Sequence, residues 1–119
     1  MQQAENLPAD SRANLPPLVQ RSLARLIRAF APERVVLFGS QAKNTARDTS
    51  DVDLLVIANL EGNPGLHLRR ARQLTADCFP RIDVVIATPA EVAEAASAKS
   101  PFLFSILGSG ITIYTRAGL

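Results

Sequence analysis

Three aspartates stand where a core-forming strand disfavours them. Asp51 and Asp53 open the apolar run Asp51-Val-Asp-Leu-Leu-Val-Ile57, and Asp83 is the second residue of another, Ile82-Asp-Val-Val-Ile86. Side chains alternate along an extended chain, so Asp51 and Asp53 project from one face. If the two runs lie close together in a sheet, three carboxylates meet at one edge of that face. Like charges at such proximity raise one another's pKa, and a cation between them is the simplest relief. All-oxygen donors suit Mg²⁺ or Mn²⁺. A second feature is Gly39-Ser40, which ends the apolar run Arg34-Val-Val-Leu-Phe38. A glycine there lets backbone approach closely and the serine adds a hydroxyl, together a place to hold a phosphate. Each feature alone also has an ordinary reading: Asp51 as a strand cap, Asp53 as the partner of an arginine, Gly-Ser as turn chemistry.

Composition excludes several alternatives. The 119 residues carry 13 Lys+Arg and 11 Asp+Glu, 47% are hydrophobic, and 5% are aromatic with no Trp. That is material for one small globular domain with a core, and it leaves little for stacking bases. The charges are evenly spread, each half of the chain netting +1, so direct binding of nucleic acid is not expected. One cysteine and one histidine cannot assemble a zinc site or an internal disulfide. No signal peptide opens the chain and no apolar stretch approaches the roughly 20 residues of a membrane span. A cytoplasmic protein is expected.

The elements that must position these residues are read from periodicity. Residues 1–14 are polar and form a loose tail, with the domain proper at 15–119. A helix from Pro16-Pro17 to Phe30 places Val19, Leu23, Leu26, Ile27 and Phe30 on one side and Arg21, Arg25 and Arg28 in solvent. Arg34–Phe38 and Asp51–Ile57 are strands buried on both faces. A helix runs from Leu66 to Cys78 and is stopped by Phe79-Pro80; His67 lies on its surface. Ile82–Ile86 is a third strand. Thr88, Pro89 and Glu91 start an Ala-rich helix reaching about Lys99. Another helix spans Pro101–Leu107, then a turn at Gly108–Gly110 and a last strand Ile111–Tyr114, where Tyr114 packs. The fold class is α/β with about four strands. The dozen residues between the first two strands are short for a parallel crossover, which predicts an antiparallel or mixed sheet.

Taken together the motif is G-S, ten residues, D-x-D, and a third acid about thirty residues on. It resembles the nucleotidyltransferases of the polymerase-β superfamily, in particular the minimal nucleotidyltransferases that are little more than the catalytic core. The resemblance covers roughly residues 18–115, including V-V-L-F-G-S, S-D-V-D-L-L-V, I-D-V-V and the terminal G-x-x-I-Y. It implies that Asp51 and Asp53 hold two Mg²⁺ ions on a bound ATP, and that Asp83 completes the site as a ligand or as a base. It also implies that Gly39 and Ser40 grip the phosphates. Where the group often has Arg-Ala-Arg-Gly after Gly-Ser, this chain has Gln41-Ala42-Lys43-Asn44, so Lys43 and Arg47 supply the loop's charge.

Minimal members of the group typically work with a HEPN-domain partner, often as the antitoxin to a ribonuclease toxin, and some transfer AMP from ATP to a tyrosine of that partner. The resemblance therefore implies a protein adenylyltransferase antitoxin of a type VII-like pair, the missing half of its site coming from another chain. Two other readings remain open on the residues: a non-catalytic module that masks a toxin by contact, and transfer to a small molecule in a pocket formed by a homodimer.

Overall fold

The computed structural model describes residues 15–39, 51–95 and 100–116. The tail 1–14, Ser40, Lys43, Arg47 and the continuation of the Ala-rich helix past 95 lie outside the described residues. In chain order the elements are α1 (Pro17–Phe30), β1 (Arg34–Phe38), β2 (Val52–Ile57), α2 (Pro64–Leu74), β3 (Ile82–Ala87), α3 (Pro89–Ala95), α4 (Pro101–Ser109) and β4 (Ile111–Thr115). The strands form one mixed sheet in the order β3-β2-β1-β4. β1 is antiparallel to both β2 and β4, as the short β1–β2 connection requires, and β2 is parallel to β3 across the α2 crossover.

The sheet divides the core in two. Val35, Leu37, Val52, Leu54 and Val56 point to the face that α1 covers with Val19, Leu23, Leu26 and Phe30. The alternate residues Val36, Leu55 and Ile57 point to the other face, against Leu103 and Ile106 of α4. Charge is divided as well: α1 and α2 together carry Arg21, Arg25, Arg28, Arg69, Arg70 and Arg72 and no acid, whereas α3 carries Glu91 and Glu94 and no base.

The arginines of α1 do more than face solvent. Arg25 is half-buried and donates to the Leu74 carbonyl at 3.2 Å and to the Asp77 carboxylate at 2.8 Å, and Arg21 reaches Asp77 at 3.3 Å. A hydrogen bond from Arg25, seconded by its charge and that of Arg21, holds the Asp77 carboxyl below the usual carboxylate value of 3.8. That contribution to stability is present above pH 3.8 and is lost as pH falls through the lowered value.

This clamp also explains a difference from expectation. α2 ends at Leu74, not at Cys78 before Phe79-Pro80, because Arg25 satisfies the terminal carbonyl and the Thr75 hydroxyl turns back to Ala71 O at 3.0 Å. The same helix begins earlier, at Pro64, where the Asn63 side chain accepts from Gly65 N at 2.8 Å. His67 is half-buried instead of lying on the surface: its Nε2 is 2.6 Å from the Glu61 carbonyl and its ring meets Phe30 edge-on at 6.4 Å. The start of α3 follows the expected capping box, with Thr88 N to Glu91 at 2.8 Å and Glu91 N to Thr88 at 3.1 Å.

Gly108 and Ser109 belong to α4, so only Gly110 remains of the expected turn. Gly110 lies against β1 so tightly that a Cβ there would be 2.6 Å from the Ile106 carbonyl and 3.0 Å from that of Leu37. Both obstacles are backbone and cannot yield. Gly110→Ala is expected to cost about 1–3 kcal/mol of stability in urea unfolding, while Gly108→Ala, with open space around it, should be neutral or stabilising.

Candidate active site

The parallel ladder between β2 and β3 sets Asp53 level with Asp83, and the same register continues through Leu54–Val84 to Ile57–Ala87. Asp51 is the residue just before β2 and is exposed. By alternation all three lie on the face of Leu55 and Ile57, at the end where β2 and β3 begin. On the other side of β2, Asp53 is paired with Phe38 of β1. The ring of Phe102 from α4 meets Phe38 edge-on at 6.3 Å, so an apolar wall borders the carboxylates. Neither ring was evident as part of the site from motif spacing, although Phe38 shares a face with Val36 and could be placed there by alternation.

Gly39 follows β1 with φ of +74°, a conformation that favours glycine. A Cβ at this position would overlap a carboxylate oxygen of Asp53 and come within 3.2 Å of its Cγ. The backbone therefore rests directly on the acid. Ser40, Lys43 and Arg47, also expected at the site, fall outside the described residues, so Gly39, Asp51, Asp53 and Asp83 are the expected residues brought together.

Partial burial raises the Asp53 pKa above its usual 3.8, and the negative charges of Asp83 and Asp51 raise it further. The pairing of an arginine with an acid does occur, but at Asp83: Arg81, two residues earlier and on the same face, is 3.4 Å away, and both side chains are well exposed. The donor set fits a hard divalent cation, being all carboxylate oxygen with a charge excess that a cation would relieve. Among the described residues, no three acidic, histidine or cysteine side chains are already gathered closely enough to hold one.

Two outcomes follow. The folded state holds the Asp53 proton more tightly than the unfolded chain, so stability falls as pH rises from 3.8 through the raised value, and the penalty is complete above that value. Asp53→Asn should therefore melt at a higher temperature than wild type at pH 7 without divalent metal, the gap closing below pH 3.8; a lower melting temperature at pH 7 contradicts this. Gly39→Ala should cost about 1–2 kcal/mol in denaturant unfolding, from the left-handed backbone alone, and should displace the Asp53 carboxylate.

The chain is similar to known proteins over most of its length. The family profile for polymerase beta nucleotidyltransferases matches residues 23–118. A Sulfolobus solfataricus protein with a provisional nucleotidyltransferase assignment, solved at 1.40 Å, superposes with a TM-score of 0.61 at 17% identity, over 99% of this chain and 93% of that one. A chain from a toxin-antitoxin crystal structure with AMP-PNP superposes with a TM-score of 0.55 at 20% identity, over 81% of this chain and 73% of that one. At these identities the likeness is one of fold. No curated protein matches the chain by sequence. The family match spans β1, the three acids and β4, and this chain belongs to the polymerase beta nucleotidyltransferase family.

Proposed function

We propose that the chain transfers AMP from ATP to a hydroxyl, a tyrosine of a HEPN-type toxin, and thereby acts as the antitoxin of that pair. The observation that carries the reading is the level placement of Asp53 and Asp83 on adjacent parallel strands, with Gly39 against Asp53. The family supports nucleotidyl transfer, and the fold likeness to a chain of a toxin-antitoxin complex with AMP-PNP supports both the partner and the adenine nucleotide.

Asp51, Asp53 and Asp83 would hold Mg²⁺, or Mn²⁺ in its place. When bound, the metal neutralises charge on the triphosphate and on the entering and leaving oxygens. The residues of the chain do the rest. Gly39 lets the backbone approach the phosphates, with Ser40, Lys43 and Arg47 assigned to the same task. The acceptor oxygen forms its bond to the α-phosphorus as the bond to the β-phosphate oxygen breaks, and pyrophosphate leaves with that electron pair. Asp83, at the outer edge of the carboxylate group, accepts the hydroxyl proton. Positioning and charge supply most of the acceleration, so no histidine is needed.

A second reading, left open by the residues, is masking of the toxin by contact alone. One pair of experiments separates them. Incubation with α-labelled ATP, Mg²⁺ and the product of the adjacent gene should label that product, and Asp51→Asn or Asp53→Asn should lower labelling by about 10³-fold or more. If Asp51→Ala with Asp53→Ala still neutralises the toxin fully in cells, neutralisation proceeds by contact.

A further inference from the structure

Strand β3 is an outer strand, and among the described residues nothing pairs with its free edge. Natural edges are blunted by charge, proline or a bulge. This one presents half-exposed Val84, Val85 and Ile86, with Asp83 as its one charged residue. Two cavities flank it end to end. One, of about 300 Å³, lies at the catalytic end and is bounded by Arg72, Arg81 and Asp83. The other, of about 320 Å³, follows Val84 to Thr88 between the Leu68 side of α2 and Glu91. Sharing Val84, the two cavities adjoin along the strand, roughly 20 Å for six residues, as the two halves of a trough.

The trough is asymmetric. Its far half is mainly apolar with Glu91 at its rim, and its catalytic end carries the Arg72 guanidinium beside the Arg81–Asp83 ion pair, a net positive charge. Resting on the transfer reading above, we propose that it seats an extended segment of the acceptor protein. That segment pairs with the β3 backbone, is apolar opposite Val84–Ala87 and acidic opposite Arg72 and Arg81, and delivers its hydroxyl beside Asp83. Adding a strand to an open edge is a recurrent mode of peptide recognition, with main-chain bonds giving affinity and flanking pockets giving specificity. No Phe, Tyr or Trp lines either cavity, so neither offers a stacking platform for bases. A second copy of the chain answers the charge poorly. Paired antiparallel it places its own Arg81 at the apolar end, and paired parallel it sets arginine against arginine.

The test uses fluorescence anisotropy with two fluorescein-labelled peptides of eight residues, alternating valine and threonine and ending in Glu-Tyr-Glu or Lys-Tyr-Lys. The full chain should bind the glutamate peptide roughly tenfold or more tightly than the lysine peptide. Arg72→Glu with Arg81→Glu, both exposed and confirmed folded by circular dichroism, should reverse the order. Equal binding of the two peptides, no binding at millimolar peptide, or displacement of the glutamate peptide by an oligothymidine of equal charge overturns the proposal. Asp51→Asn with Asp53→Asn should keep the peptide preference. Preference without any nucleotidyl transfer refutes the transfer reading alone, and transfer without preference refutes the trough alone.

Discussion

Repulsion between carboxylates is the constraint around which the site end of the domain is organised. Asp53 and Asp83 sit level on neighbouring strands, with Asp51 two residues before Asp53, and the proton affinity of Asp53 is raised by its burial first and then by the charges of Asp83 and Asp51. What holds the acids there is the strand behind them. Leu54, Leu55, Val56 and Ile57 are almost completely buried, and full burial of such a side chain contributes about 1.5–3 kcal/mol. A one-residue slip of β2 would exchange its two faces and turn Asp51 and Asp53 towards the apolar side chains of α1. The register is therefore fixed by apolar side chains, and the acids have no freedom to separate by sliding.

The rest of the fold leaves that end of the sheet open. α3 leaves the far end of β3 through the Thr88–Glu91 box, and α4 returns across the sheet only far enough to bring Phe102 beside Phe38. The opposite face is closed by α1 and α2, locked to each other through Arg25, Leu74 and Asp77. One side of the sheet is thus committed to stability and the other ends in an accessible group of charges.

Much of this was legible in the residues. Alternation in Asp51-Val-Asp53 and the position of Asp83 in its apolar run were enough to place the acids on one face, and the short β1–β2 link was enough to reject a doubly wound sheet. What local patterns could not show depended on contacts distant in sequence. The end of α2 is set by Arg25, 49 residues away from Leu74, so its periodicity suggested a helix running on to Cys78. The Arg81–Asp83 pair was hidden because an exposed arginine beside a strand gives no periodic signal. The burial of His67 came from Phe30 and the Glu61 carbonyl, neither of which a helical wheel contains.

Among the described residues, the unequal charging of the two helical layers sets up an electric moment through the thickness of the sheet. Six arginines lie on one side and two glutamates on the other, and layers on opposite faces of a sheet stand farther apart than the Debye length of about 8 Å at physiological salt. A partner already within a few ångströms therefore feels a torque that turns one chosen side of the molecule towards it, while a partner farther away feels almost none. Screening thus confines the influence of this charge division to a partner already close to the surface.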